Sequence, residues 1–345
     1  MAGVACGPRI AVDVMSGDRT PRDYVAGVAQ ALQDDAEFSA LLVGDPTAIE
    51  SALNGASQAQ IRQRIEIVPA SEVVTMGESP REAIRRKKHS SMRIAIDVVK
   101  EGRALACVSA GNTGALTAMS HFVLKTIAGV ERAAIMSAIP SAHGHTHMLD
   151  LGANTKATPE QLLQFGSMGS IVARDIYGVN SPRVGLLNIG EEDMKGHEIV
   201  QAAHALLGAS GAAGTLNYIG FVEGDDIFSG DVDVVVTDGF TGNVALKSME
   251  GVAHLISNRL KAEFNASLYG KLAGLIARPV LRRAAASLDP RRYNGACMVG
   301  LDGIVVKSHG GADSLAFSRA ISLAAHAARR GLTAHIAQAL QTQRS

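Results

Sequence analysis

Tryptophan is absent from the 345-residue chain, and aromatic residues make up only 4% of it. The core must therefore be largely aliphatic, and 47% apolar residues are enough to build a sizeable one. Three widely spaced cysteines, Cys6, Cys107 and Cys297, fit neither a disulfide framework nor a zinc site. The formal net charge is zero, which argues against general nucleic-acid binding.

Long apolar runs and an N-terminal signal are also missing. No stretch approaches the roughly 20 apolar residues that a membrane-spanning helix needs. The N-terminus lacks the basic region and apolar stretch of a signal peptide. We therefore expect a cytoplasmic protein that is still able to touch a membrane surface. Glycine is abundant by contrast, with 36 residues against 10 prolines, which predicts many tight turns.

The apolar runs that the chain does have are short, and they alternate with amphipathic stretches. Seven are typical of buried strands: Ile10–Met15, Leu41–Val43, Ile65–Val68, Ala104–Ser109, Val184–Ile189, Leu216–Val222 and Val232–Thr237. Helical stretches include Tyr24–Leu32, Arg93–Lys100, Gly114–Leu124 and Glu160–Tyr177. This alternation predicts an α/β body over residues 1–345, with a mostly parallel sheet between two helical layers and a cleft. Ala133–Pro140 and His145–Leu151 predict an antiparallel hairpin inside that sheet.

One basic segment departs from the alternation. From Lys261 to Arg292 the chain has seven basic and two acidic residues. Pro279 interrupts this segment, so we expect two short helices that form a projection, over residues 254–292. Its apolar face suits either a second subunit or an anionic membrane surface, and both alternatives stay open. The candidate membrane contacts are Leu268, Leu272, Leu275, Ile276, Arg282 and Arg283.

Glycine-framed polar segments follow six of the predicted strands, including a further short strand at Ile304–Val306. Each alone is typical of an ordinary turn. Ligands bind beyond the carboxyl ends of parallel strands, so together the segments favour a phosphate site at one edge of the sheet, where helix N-termini offer amides to an anion. Neither G-x-x-x-x-G-K-[ST] nor G-x-G-x-x-G occurs, so a small free phosphate fits better than a nucleotide. The segments are 13–18, 111–114, 152–154, 190–196, 238–243 and 307–311.

Histidine and basic residues outside these segments leave alternatives open. His143, His145 and His147 alternate, which allows a metal site but favours a solvated hairpin, since no acidic or cysteine partner is near in sequence. Lys195 follows three acidic residues and either pairs with them or binds phosphate. A basic cluster is typical of a solvated face, with an acidic partner protein as the alternative. Its residues are Arg81, Arg85, Arg86, Lys87 and Lys88.

Long motifs in a fixed order resemble the bacterial phosphate acyltransferases, which are acyl-ACP:phosphate transacylases. They include IAVDVMSGD, SSMRIAIDVVKEGRALACVSAGNTGAL, LDLGAN, VGLLNIGEED, VVVTDGFTGNVALKSMEG and YNGACMVGLDGIVVKSHG, between about Ile10 and Ile321. The resemblance implies a fold like that of the phosphotransacetylases and isopropylmalate dehydrogenases. It implies acyl phosphate formation from acyl-ACP and inorganic phosphate by a cytoplasmic homodimer at the membrane periphery. A membrane glycerol-3-phosphate acyltransferase would use the product for phospholipid synthesis.

Transfer from a thioester to phosphate needs positioning and oxyanion stabilisation, and we expect no metal or cofactor. The predicted phosphate ligands are Gly111, Asn112, Thr113, Gly114 and Lys195. Asn243 and Ser308 are candidates for oxyanion contacts, and Asp238 or His309 for orienting phosphate or taking its proton. The basic cluster would receive the acidic carrier protein.

Two departures from the family pattern limit this transfer of roles. Ser16 stands where the family usually has glycine, and Thr155-Lys156-Ala157 stands where Val-Asp-Cys is usual. Three rival functions remain. They are a phosphotransacetylase that uses acyl-CoA, a metal- and nicotinamide-dependent decarboxylating dehydrogenase, and a non-catalytic membrane scaffold.

Overall fold

A computed structural model describes residues 7–54, 59–287 and 289–342 of the chain. Cys6 lies outside these residues. The strands are β1 (Arg9–Asp13), β2 (Ser39–Gly44), β3 (Ile65–Pro69), β4 (Ala106–Ser109), β5 (Ala134–Ser141), β6 (Gly144–Leu149), β7 (Val184–Leu187), β8 (Tyr218–Val222), β9 (Val234–Val236), β10 (Ala296–Val299) and β11 (Ile304–Lys307).

Helices connect most of these strands, as the alternating pattern predicts. They are α1 (Pro21–Asp34), α2 (Pro46–Asn54), α3 (Ala59–Arg62), α4 (Pro80–Arg86), α5 (Ser91–Lys100), α6 (Thr113–Leu124), α7 (Pro159–Tyr177), α8 (Glu198–Ala212), α9 (Asp226–Ser229), α10 (Gly239–Asn265), α11 (Leu268–Ser287), α12 (Ser314–Arg329) and α13 (Leu332–Thr342). A single 3-10 turn, Pro290–Tyr293, precedes β10.

All eleven described strands lie in one sheet, in the order β3-β2-β1-β4-β11-β10-β5-β6-β9-β7-β8. The neighbours on either side of the centre pair in parallel, which confirms the mostly parallel sheet. Three antiparallel pairings in succession join β11, β10, β5 and β6. The predicted hairpin is confirmed, because β5 and β6 pair from Met136–Leu149 to Ser141–Gly144.

Those three antiparallel pairings reverse the direction of the sheet. Strands β6, β9, β7 and β8 run opposite to β1, β2, β3, β4 and β11. Their carboxyl ends therefore leave the sheet in the opposite direction along the strands. The prediction that all six glycine-framed segments leave one edge is wrong, since three follow each set of strands.

Helices cover both faces of the sheet and enclose an aliphatic core, which confirms the three-layer arrangement. One face packs against α1, α7 and α12, with Tyr24, Phe165 and Phe317 fully buried. The other packs against α5, α6 and the first turns of α10, through residues such as Met92, Leu116 and Leu246. The thiols of Cys107 and Cys297 are buried on opposite faces. Burial raises the pKa of Cys297 to about 12, which fits a packing role rather than a reactive one.

The basic segment forms a helical hairpin that is longer than predicted. Helix α10 runs for 27 residues before the chain turns at Ala266 and Ser267, and α11 packs back against it. Pro279 lies inside α11 and does not end it, so the expectation of two short helices divided there is wrong. Proline removes one main-chain donor, which an exposed helix tolerates because water reaches the freed carbonyl.

Candidate active site

The segments after β1, β4 and β11 meet and form what we call the α6 group. Ser109 Oγ donates a hydrogen bond to Asp13 Oδ2 at 2.7 Å, and Ser308 N–H donates to the Ser109 carbonyl at 2.9 Å. Asp18 N–H donates to the Gly310 carbonyl at 2.9 Å. These bonds tie the three strand ends into one surface.

The N-terminus of α6 presents two unused amides to that surface. Thr113 and Gly114 are exposed, and their N–H groups have no hydrogen-bond acceptor among the residues that the structure describes. The first turn of α6 contains no acidic residue, whereas those of α1, α4 and α7 each contain one. The partial positive charge of this helix end is therefore left for an external anion.

Asn112 has its side chain engaged in holding this helix end. Its Oδ1 accepts a hydrogen bond from Ala115 N–H at 2.9 Å, as an N-cap does. Its Nδ2 donates to the carbonyls of Met76 and Glu78, at 2.6 and 3.2 Å. The side chain thus positions the free amides and fastens the segment before α4 beside them.

Gly111 is required by close packing. A Cβ at this position would lie 2.7 Å from Cβ of Ser16 and would overlap the terminal methyl of Met92. Ser16 itself is buried, and its Oγ lies 3.4 Å from Ser91 Oγ. The fold therefore accommodates the serine that replaces the family's usual glycine.

Ser308 and His309 lie in the loop that follows β11. Ser308 is buried, and its Oγ accepts a hydrogen bond from Asn294 Nδ2 at 2.8 Å. His309 is exposed, and its Nδ1 accepts a hydrogen bond from Gly311 N–H at 3.1 Å. The neutral imidazole therefore carries its proton on Nε2, as a donor facing solvent.

Lys307 was not among the predicted site residues, yet it is the buried cation of the α6 group. Only 9% of it is exposed. Its Nζ donates to the carbonyls of Ala110, at 3.4 Å, and of Ser308. Burial lowers the pKa of this amine to about 8.

The segments after β6 and β9 form a second set of contacts, which we call the α10 group. Asp238 caps α10, because its Oδ1 accepts from the amides of Phe240 and Thr241 at 2.9 Å. Gly239 N–H donates to the Asn154 carbonyl at 2.7 Å. The first amides of α10 are thus satisfied within the protein, unlike those of α6.

Asp150 organises the loop that precedes Asn154. It is fully buried, and its carboxylate accepts hydrogen bonds from the amides of Ile135, Ala153 and Asn154. Burial raises the pKa of this carboxyl group although the hydrogen bonds oppose the shift. The loop therefore holds its shape before the unusual Thr155-Lys156-Ala157 begins.

Asn243 is exposed, beside Gly152, on the outward side of α10. Lys247 lies four residues further on and so shares its helical face. The charge of Lys247 reaches Lys307, since it helps to lower the pKa of that amine. The charge of Lys247 therefore acts on the α6 group, whereas the described neighbour of Asn243 is Gly152.

Lys195 is not a neighbour of Gly111–Gly114 in this structure. Six strand spacings separate β4 from β7, which at about 4.8 Å each is roughly 29 Å. Lys195 Nζ instead lies 3.7 Å from the Glu192 carboxylate, and no described contact joins it to the α6 group. The prediction that Lys195 shares one site with Gly111–Gly114 is therefore not supported by this structure, and the other four residues stay together at α6.

The basic cluster lies beside the α6 group. Arg81, Arg85 and Arg86 are exposed on α4, and Lys87 and Lys88 follow it. Helix α4 packs on α6, and a Cβ on Gly114 would approach Pro80 to 2.9 Å. One of these cations is paired, Arg86 with Glu82 at 3.8 Å, on the exposed surface.

The hairpin of α10 and α11 exposes apolar side chains along its length. None of the described residues from Gly251 to Leu281 is buried. The candidate contacts Leu268, Leu272, Leu275 and Ile276 are 86, 58, 63 and 73% exposed, and Arg283 is exposed beside them. The side chain of Arg282 lies outside the described part. Within the described residues, no helix combines the length and apolar character needed to cross a bilayer.

The three alternating histidines do not form a uniformly solvated hairpin. His143 and His145 are exposed, but His147 is buried and packs on Tyr177 at 4.1 Å between ring centroids. The expectation of a solvated hairpin is therefore wrong for His147. No set of three or more metal-ligating side chains comes together within the described ranges.

Two surface cavities of about 450 and 400 Å³ lie away from both groups. Arg174, His326 and Arg330 help to line the first, and Glu191, Asp193 and Asp226 help to line the second. Neither includes a residue of the α6 group. The unused amides and the buried amine therefore single out the α6 group as the candidate anion site.

This architecture is shared with phosphotransacetylases. A phosphotransacetylase from Streptococcus pyogenes superposes with a TM-score of 0.61 at 14% identity, covering 94% of each chain. The EutD phosphotransacetylase from Staphylococcus aureus gives 0.59 at 17% identity, over 93% of this chain and 94% of that one. A 4-hydroxythreonine-4-phosphate dehydrogenase from Klebsiella pneumoniae gives 0.54 at 16% identity, over 96% of this chain and all of that one. The fold class is that of the phosphotransacetylases, as predicted.

Sequence relatives define the family within that class. The family described as fatty acid synthesis protein matches residues 8–335. The phosphate acyltransferase of Alkalilimnicola ehrlichii is 52% identical over 96% of both chains. That of Alcanivorax borkumensis is 53% identical over 96% of this chain and 97% of its own. The chain belongs to the phosphate acyltransferase family, which confirms the family prediction.

Proposed function

We propose that this enzyme transfers a long-chain acyl group from acyl-ACP to inorganic phosphate and releases acyl phosphate and free carrier. The observation that carries the proposal is the pair of unused amides at Thr113 and Gly114, at a helix end without an acidic residue. These amides offer two hydrogen-bond donors and the positive end of a helix dipole to an inorganic phosphate ion. Membership in the phosphate acyltransferase family supports the reaction class.

The reaction asks little beyond positioning and charge stabilisation. One phosphate oxygen attacks the thioester carbonyl, so a C–O bond forms as the C–S bond breaks. The proton of monohydrogen phosphate ends on the released thiol, whose pKa near 8.5 makes it a competent leaving group. Holding the two reactants in line supplies roughly 7–11 kcal/mol in favourable cases. Neither the attack on the carbonyl nor the release of the thiol calls for a covalent intermediate on the protein.

The predicted catalytic residues fall into two kinds: hydrogen-bond donors that are free to contact the substrates, and residues that position the loops. His309 Nε2–H is free to donate to phosphate, which suits orientation better than proton abstraction. The Asn243 amide is exposed one helical turn before Lys247, so we assign it to the oxyanion. Asp238 and Ser308 have their oxygens engaged in the frame, so we assign them positioning roles.

The basic cluster on and after α4 is the surface that we propose for the carrier protein. Four of its five cations are exposed and α4 packs on α6, so an acidic carrier bound there would bring its thioester to the phosphate. Reversing the charge of Arg81 and Arg85 should raise KM for acyl-ACP and weaken its salt dependence. Unchanged kinetics in that variant would remove the cluster from the docking surface.

The hairpin of α10 and α11 is the element that we propose for dimer and membrane contact. Its exposed leucines and flanking cations suit either surface. Peripheral association from the cytoplasm would place a water-labile acyl phosphate close to a membrane glycerol-3-phosphate acyltransferase, its proposed consumer in phospholipid synthesis.

The deciding experiment combines purified protein with long-chain acyl-ACP and radiolabelled phosphate. We expect the label to appear in acyl phosphate, and we expect one free ACP to be released for each acyl phosphate formed. The same reaction with acyl-CoA distinguishes the phosphotransacetylase alternative, which would prefer that donor. If neither donor gives labelled product, the proposal is overturned and the non-catalytic membrane scaffold is the alternative that remains.

A further inference from the structure

The side chain of Lys307 points into the face of the sheet that carries the candidate site. Val305 packs into the core under α5, α6 and α10. Side chains alternate along a strand, so Lys307, two residues later, lies on the same face. Its Nζ reaches the Ala110 carbonyl at 3.4 Å, three residues before the free amide of Thr113. The amine and the amides therefore border the same short segment.

The buried amine has no ion-pair partner. Asp13 and Asp18 attract it and Lys247 repels it, but among the described residues Nζ bonds to main-chain carbonyls and not to a carboxylate. Both oxygens of Asp13 already accept hydrogen bonds, from the amides of Met15 and Ser16 and from Ser109 Oγ. A buried ammonium without a counter-ion is costly, and an anion bound beside it would remove that cost.

We propose that Lys307 is the phosphate-binding cation of this enzyme, and that its ammonium pairs with the phosphate held by the Thr113 and Gly114 amides. The proposal rests on the proposed function and assigns its phosphate site a residue. The amides provide directional donors, while the ammonium provides a full charge. That charge offsets the repulsion between phosphate and the oxyanion that forms when phosphate attacks the carbonyl.

Because phosphate binding and protonation of Lys307 are thermodynamically linked, the proposal also predicts how phosphate affinity depends on pH. A bound dianion favours the charged form of the amine, so phosphate must raise the pKa of Lys307. By reciprocity, phosphate affinity falls as pH rises past about 8, where the empty site loses its ammonium. The charged groups that act on this amine are Asp13, Asp18 and Lys247, and His309 lies two residues further along the chain.

The test is calorimetric titration of inorganic phosphate into the whole protein without an acyl donor. The variants are Lys307→Met, Lys307→Arg and, as a matched control, Lys125→Met, which removes an exposed lysine at the far end of α6. We expect Lys307→Met to weaken binding by about 30-fold or more, since a buried hydrogen-bonded charge pair is lost. Lys307→Arg should stay within about fivefold of wild type, and Lys125→Met should not change.

The pH profile keeps the test valid if Lys307→Met fails to fold. Above about pH 8 phosphate is almost entirely the dianion, so a further change in affinity up to about pH 9.5 reports on the titration of the protein. Wild type should weaken across this range, whereas Lys307→Arg, which stays charged, should not. A flat wild-type profile or wild-type affinity in Lys307→Met would overturn the proposal. If wild type binds phosphate in that case and still forms acyl phosphate, the proposed function stands without Lys307.

Discussion

Asn112 shows how one residue can support a site without touching the substrate. Its side chain caps α6 and holds the segment at Met76–Glu78, so only the amides behind it remain for phosphate. The sequence correctly drew attention to this residue because amide and hydroxyl residues between glycines open helices. It could not show that the cap uses the whole side chain.

Replacing Asn112 by Asp or by Ser separates charge from capping. Both replacements keep a capping oxygen and both lose the amide donor, so each should cost at most about 1 kcal/mol of unfolding free energy. Only Asp adds a negative charge beside the free amides. We expect Asn112→Asp to raise KM for phosphate at least about fivefold, with Asn112→Ser close to wild type. Steady-state kinetics with thermal denaturation check this, and equal KM values in both variants would contradict it.

His147 makes stability depend on pH. Burial lowers the pKa of its imidazole to about 4, and its Nε2 has no hydrogen-bond partner among the described residues. The unfolded chain, with an ordinary pKa near 6.5, therefore takes up the proton first as pH falls. This contribution is fully present above about pH 6.5 and is lost between pH 6.5 and 4, to a total of about 3 kcal/mol.

The substitution His147→Phe isolates that dependence. Phenylalanine keeps a ring against Tyr177, and the Asp233 carbonyl keeps its bond from the His147 main-chain N–H at 2.8 Å. Urea unfolding at pH 7 and pH 4.5 should show a smaller loss in the variant than in wild type. His121→Gln, which removes an exposed histidine, serves as the control and should behave as wild type. The same loss in all three proteins would exclude His147 as the source.

The sequence placed Lys307 in the candidate segment 307–311 but did not single it out as a ligand, for a plain physical reason. It ends a short apolar strand, where a lysine usually turns to solvent. Only the pairing of β11 between β4 and β10 encloses it, and that pairing joins residues about 200 positions apart. Its burial is a property of the assembled sheet.

At the scale of elements, the periodic pattern predicted most of the strands and four of the helices, but neither β10 nor the length of the hairpin helices. The apolar runs gave β1 to β9 and the β5–β6 turn within a few residues. Pro279 misled the prediction, because an exposed helix with water beside it loses little when one donor is missing. Packing of α11 along α10 then extends both helices beyond their local signals.

The exposed face of this hairpin should be dispensable for folding and chemistry. Leu272 and Leu275 are mostly exposed, so changing both to Ser should shift the unfolding free energy by less than about 1 kcal/mol. Turnover of soluble acyl donor should stay near wild type, while cosedimentation with anionic vesicles or the dimer fraction in light scattering should fall. Leu105→Ser, at another exposed leucine, is the control. Unchanged association by both measures would remove the hairpin from these roles.

At the scale of the molecule, three antiparallel pairings divide an otherwise parallel sheet into two halves that run in opposite directions. Sequence periodicity specifies that a strand exists but not which way its neighbour runs. The six glycine-framed segments therefore looked equivalent along the chain. In the fold three form the α6 group, two form the α10 group, and 190–196 lies apart after β7, where Lys195 pairs with Glu192.

Hydrogen exchange can show which half receives phosphate. We expect saturating phosphate to slow exchange in peptides that cover 110–117 and 305–311, because it bonds the Thr113 and Gly114 amides and neutralises Lys307. Peptides that cover 188–196 should exchange at the same rate with and without phosphate, since five strands lie between β4 and β7 in the sheet. Sulfate at the same ionic strength shows how far the protection is specific. Protection of 188–196 alone would move the site to Lys195, because bound anions protect the amides they touch and those of the loop they order.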